Sequence, residues 1–179
     1  MEQTKPEELS SSLISKAKSY AIIKHFDTHH KYDGMPYDVH LNKVYLYGCK
    51  YHHLLPSNKV VGDVLAACWA HDVIEDCRET YNDVEKVLGE DVANIVYALT
   101  NEKGRNRAER ANEKYYEGIR NTPYASFVKI CDRLANISHS KETNNIMISV
   151  YRKEHFDFVD KLFDKKYKEM FDEMKEKLF

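Results

Sequence analysis

An all-α, bundle-like single domain is the fold class this sequence predicts, and three observations predict it. Apolar residues recur at helical spacing through most of the chain. Glycine and proline are scarce, six and four in 179 residues, which long helices tolerate better than a sandwich or barrel built on tight turns. No segment shows a convincing alternation of apolar and polar residues. The length fits one domain, taken as 1–179.

Each element has its own justification. Pro6-Glu7-Glu8 before Leu9 reads as a helix start with acid in its first turn, and Leu13, Ile14, Ala17 and Ala21 carry the helix to about residue 30. Tyr32-Asp33-Gly34-Met35-Pro36 is a turn cluster that must break it. A second helix is expected over 38–53, with Leu41, Val44, Tyr45 and Gly48 on one face. After the Pro56-Ser57-Asn58 break, 61–75 reads as one helix that is apolar on most sides and therefore central. A short helix over 81–88 ends at Gly89, and another spans 91–99. The polar, basic stretch 100–110 reads as a loop. Helices follow over 108–121, 124–141 and 145–163. The charged run 164–179 carries a thin apolar stripe of Tyr167, Met170, Phe171, Met174 and Leu178.

Composition narrows the function classes. Hydrophobic residues make up 42% and charged residues 31%, with a formal net charge of −2. That balance gives no electrostatic case for nucleic-acid or membrane partners. The polar start of the chain lacks the apolar core of a secretory signal, and no apolar run approaches bilayer length. Cys49, Cys68, Cys77 and Cys131 form no CxxC pair and read as reduced thiols. A soluble, cytoplasmic protein is expected.

The sharpest local feature is Ala70-His71-Asp72-Val73-Ile74-Glu75-Asp76, which sets a histidine and three carboxylates at the end of a greasy helix. Burying such groups without partners costs several kcal/mol; a cation resolves this by taking the lone pairs and the charge. Helical spacing sets Glu75 and Asp76 on much the same side as His71 and Asp72. Two other segments share the character: Asp38-Val39-His40 opens the second helix, and Asp132 and Asn136 lie four apart in an apolar helix. Alone, His40 is an ordinary histidine and Asp132 a partner for Arg133. Together the segments supply two imidazoles and two carboxylates, enough for a catalytic metal with open positions.

In that order, His40, His71-Asp72 and Asp132 resemble the H…HD…D signature of the HD superfamily. His71 to Asp76 is similar to the HDxxED motif of its RelA/SpoT hydrolase branch. Gly34-Met35-Pro36-Tyr37-Asp38-Val39-His40 and Val128-Lys129-Ile130-Cys131-Asp132-Arg133-Leu134-Ala135-Asn136 resemble two further motifs of that branch. The resemblance spans about 12–162 and is to small, stand-alone alarmone hydrolases. The branch usually has threonine where Cys77 stands and arginine where His30 stands.

The resemblance implies an HD-domain helical bundle holding one Mn²⁺, or another divalent metal, through His40, His71, Asp72 and Asp132. It implies removal of pyrophosphate from the 3′ position of (p)ppGpp, with Glu75 and Asp76 as the catalytic acidic pair. It places the nucleotide against Lys31, Asn136, Arg152 and His155; Arg105, Arg107 and Arg110 are other candidate cations, in a stretch that otherwise reads as a solvated basic loop. Two alternatives remain at this stage. The same site could act on NADPH, a dNTP or another nucleotide signal, or the chain could be a catalytically silent nucleotide-binding module. A homo-oligomer is left open.

Overall fold

The computed structural model describes residues 6–101 and 103–179, with side chains from Ser11 onward. The expectation for residues 1–5 lies outside this range. The fold is all-α. Helix α1 (Pro6–Asp27) packs along α3 (Asn58–Ala70), and α2 (Asp38–Tyr51) packs on α3 and on α9 (Ala125–Glu142). The pair α5 (Tyr81–Leu88) and α6 (Glu90–Leu99) covers α3 from another side, while α10 (Met147–Leu162) and α11 (Lys168–Leu178) close over α9. No helix among the described residues is long and apolar enough to cross a membrane.

Local chemistry places these elements. In α3 every residue from Val64 to Ala70 is buried, as its all-round apolar character predicts. Ser57 caps it by accepting from the Val60 N–H. Gly48 of α2 faces α3 so closely that a Cβ there would lie 2.7 Å from Leu65 Cδ2 and 3.0 Å from Cys68 Sγ. Thr80 and Asp83 form a capping box on α5, and Gly89, at φ +90°, turns the chain directly into α6. The stripe Tyr167, Met170, Phe171, Met174 and Leu178 is buried against the rest of the core.

Four segments differ from expectation. The turn cluster is a two-stranded hairpin, β1 (Lys31–Tyr32) paired antiparallel with β2 (Met35–Pro36). Asp33 and Gly34 both have positive φ, as a tight hairpin turn of this hand requires. The helix expected over 61–75 is two: α3 stops at Ala70, His71-Asp72 form a turn, and α4 (Val73–Asp76) follows. The helix expected over 108–121 is also divided, into α7 (Arg107–Arg110) and α8 (Glu113–Asn121), because Asn112 caps α8 through the Tyr115 N–H. The C-terminal run opens with a 3-10 turn, Lys165–Tyr167, before α11.

Candidate functional site

Three segments converge on one point. His40 sits in the first turn of α2 and is buried. His71 and Asp72 occupy the turn between α3 and α4, and Asp132 lies in the middle of α9. His40 Nε2 is 3.3 Å from His71 Nε2, 3.3 Å from Asp132 Oδ1 and 3.7 Å from Asp72 Oδ2. His71 Nε2 is 2.9 Å from Asp72 Oδ2 and 3.8 Å from Asp132 Oδ1. Nitrogen and oxygen donors about 2.1 Å from one shared cation would be roughly 3–3.5 Å apart; His40, His71 and Asp72 gather closely enough to hold one divalent ion, and Asp132 stands beside them against His40. The buried His40 Nδ1 has no hydrogen-bond partner.

The charges respond to one another. Burial alone would lower His71, but the charge and hydrogen bond of Asp72, and then Asp132, outweigh it and lift the imidazole to about 9. Burial would raise Asp72, yet the His71 imidazolium holds it below its ordinary value. Asp132 is likewise held well below its ordinary value against the effect of burial, first by Lys129 and then by the two histidines. His71 Nδ1 faces the Cys68 carbonyl at 3.0 Å. Both ring nitrogens therefore have acceptors, as a doubly protonated ring needs.

A surrounding shell orients the carboxylates. The Tyr37 hydroxyl donates to Asp72 Oδ2 at 2.5 Å, and Lys129 Nζ donates to Asp132 Oδ2 at 2.9 Å. Asn136 Nδ2 donates to Asp132 Oδ1 at 2.6 Å, while its Oδ1 accepts from the Tyr32 hydroxyl at 2.8 Å. The hairpin thus reaches Asp132 through Asn136. Such outer contacts fix ligand orientation in metal sites.

Glu75 and Asp76 lie at the end of α4, on the wall of a cavity of about 550 Å³ that also reaches His40, Asp72 and Asp132. Burial, and then the charges of Asp72 and Glu75, push the Asp76 carboxyl up to about 7. His30 Nδ1 stands 3.5 Å from Asp76 Oδ2, and the His30 ring stacks on Tyr37 with centroids 4.0 Å apart. Glu75 accepts two hydrogen bonds from Asn101.

Of the residues expected to meet a nucleotide, Asn136 lines this cavity and Lys31, Arg152 and His155 do not. Lys31 is exposed on β1. Arg152 Nε donates to the Leu178 carbonyl of α11, and His155 is buried with its ring against Phe156 and Phe179. The cavity face of α10 is instead that of Tyr151, Glu154 and Phe158. Sequence reading passed over this face. Glu154 binds Arg107 at 2.7 Å and the buried Arg133 at 2.7 Å, and the Arg133 guanidinium lies 4.6 Å from the Tyr151 ring centre. The i, i+3, i+7 spacing of Tyr151, Glu154 and Phe158 was the available signal. Of the basic stretch, Arg107 and Arg110 line the cavity and Arg105 does not.

No family model matches the chain. It is 29% identical over 131 residues to the guanosine-3′,5′-bis(diphosphate) 3′-pyrophosphohydrolase MESH1 of Danio rerio, covering 72% of this chain and 69% of that protein. With the Drosophila melanogaster protein of the same name it shares 34% over 74 residues, 41% of each chain. The match thus spans less than half the length of the fly relative. Among solved structures, it superposes on a metazoan ortholog of SpoT, described as hydrolysing ppGpp, with a TM-score of 0.68 and 22% identity. That superposition covers 93% of this chain and 97% of the other.

Proposed function

We propose that this chain, an HD-type protein related to the small alarmone hydrolases, is a cytoplasmic, metal-dependent 3′-pyrophosphohydrolase of (p)ppGpp. One observation carries the reading most directly. The nitrogens of His40 and His71 lie 2.9–3.8 Å from carboxylate oxygens of Asp72 and Asp132, on a cavity that also presents Glu75 and Asp76.

In this reading His40, His71, Asp72 and Asp132 hold the cation. Mn²⁺ suits a mixed imidazole and carboxylate set, and the same donors accept zinc or iron. When bound, a divalent cation neutralises phosphoryl oxygens and acidifies water. The chain's own residues do the rest. Glu75 orients the attacking water and accepts its proton. Asp76, whose carboxyl is raised by burial and by the neighbouring acids, passes that proton on. Water adds to the 3′-α-phosphorus, the bond from that phosphorus to the ribose 3′ oxygen breaks, that oxygen takes up the proton passed through Asp76, and pyrophosphate leaves with GDP or GTP as co-product. Lys129, Arg107 and Arg110 line the cavity and offer positive charge to the phosphates. Asn136 acts mainly through Asp132, because both ends of its amide are already engaged.

The test is product analysis with ppGpp, NADPH and dNTPs, each with and without Mn²⁺. Release of pyrophosphate from ppGpp in one step is expected. Orthophosphate as first product, or faster turnover of NADPH, overturns the substrate assignment. His71→Ala and Asp72→Ala are expected to lose both metal and turnover by elemental analysis and assay; normal metal content in either would refute the ligand set. Glu75→Gln is expected to retain the metal and lose most of the rate.

A further inference from the structure

Glu75 is exposed at the cavity wall, where a long carboxylate side chain ordinarily samples several rotamers. Here one residue holds both of its oxygens. The Asn101 backbone N–H donates to Oε2 at 3.1 Å, and Asn101 Nδ2 donates to Oε1 at 2.8 Å. Two donors from a single residue fix the rotation of the carboxylate as well as its position.

The donor is itself anchored. Asn101 follows the C-cap of α6, where the Thr100 N–H donates to the Tyr97 carbonyl at 3.1 Å and Thr100 Oγ1 to the Val96 carbonyl at 3.1 Å. The buried Tyr115 of α8 donates its hydroxyl to the Leu99 carbonyl at 3.0 Å. The clamp is therefore fastened to the core end of α6 rather than to the exposed stretch that follows. A carboxylate offers about four acceptor positions, so two stay open for water and substrate.

Resting on the reading of Glu75 as the group that orients water, we propose that Asn101 is a positioning residue that fixes the Glu75 carboxylate for that role. The motif around His71 and Asp72 does not reveal this partner, because Asn101 lies 26 residues beyond Glu75.

The experiment compares Asn101→Ala, Asn101→Asp and Asn101→Gln in the Mn²⁺-loaded full chain, with Glu75→Gln as reference. Asn101→Ala is expected to lower kcat on the order of tenfold with KM within about twofold. Asn101→Asp replaces the side-chain donor with a carboxylate that repels Glu75 and should lower kcat further. Asn101→Gln keeps the donor and should recover part of the rate. Asp72, Asp76, Lys129, Asp132, Arg107 and Arg110 line the same cavity and stay unchanged across the set, so differences in kcat report the Asn101–Glu75 contact. Metal content and thermal midpoint are measured alongside and should match the parent. If Glu75→Gln is inactive while the alanine and aspartate variants keep the parental kcat, the positioning role is refuted and the reading of Glu75 survives. If Glu75→Gln is fully active, both fall.

Discussion

Loading a cation into this site should expel a proton, and the geometry gives the size of the effect. In the metal-free protein His71 is charged at neutral pH, because Asp72 and Asp132 outweigh burial and lift it to about 9. A divalent ion needs the Nε2 lone pair that this proton occupies. From pH 7 to about 9 is two units, so protonation should weaken metal binding at pH 7 by roughly 100-fold relative to the deprotonated site. The apparent Kd should tighten about tenfold per pH unit between 6.5 and 8, with about one proton released per ion. Isothermal titration in buffers of different ionisation enthalpy measures both quantities. A Kd that is flat over this range, with no proton release, would refute the reasoning. The stability of the metal-free fold carries the same sign. The folded pKa of His71 lies above the ordinary 6.5, so its pairing stabilises fully below 6.5 and is lost as pH rises through about 9. Asp72 is depressed, so its share is present above 3.8 and is lost as pH falls toward its lower folded value.

Three other outcomes test the packing around the site. Tyr32→Phe removes the hydroxyl that holds Asn136 against Asp132, and metal affinity should fall on the order of tenfold; a competition titration showing parental affinity would remove the hairpin from the metal shell. Glu154→Ala strips the buried Arg133 of its carboxylate and should cost about 3 kcal/mol in urea denaturation, whereas a loss below about 1 kcal/mol would mean that Arg133 finds another partner. Gly48→Ala brings a methyl to 2.7 Å from Leu65 Cδ2, and the overpacking, about 1–3 kcal/mol, should exceed the helix preference for alanine of about 1 kcal/mol; an unchanged denaturation midpoint would show that α2 and α3 can part.

Much of this was legible before any coordinates. Helix α5 ends at the glycine its sequence advertises, and α11 buries the stripe its spacing marks. His40, His71, Asp72 and Asp132 meet as three apolar segments with embedded acids and imidazoles suggest. What escaped has physical causes. A hairpin with two residues in each strand is too short to display alternation. The division between α3 and α4 carries no glycine or proline, so an unbroken apolar pattern hides it. Tyr151 and Glu154 line the cavity, and Arg152 and His155 stand on another face of the same helix. Residues one apart differ by about 100°, and nothing local says which face meets the cavity and which meets α11. The Asn101–Glu75 contact is tertiary and has no local trace.

His40 and His71 are 31 residues apart in sequence, and Asp132 comes from a third helix. An ion gripped by all three closes two chain loops at once, much as a covalent cross-link would. Such an ion would favour the folded chain, where the ligands are gathered, so its contribution to stability would grow with the logarithm of its concentration above Kd. Stripping the metal would then lower the melting temperature of helices that never touch it, and their unfolding would become a sensitive gauge of how fully the protein is loaded.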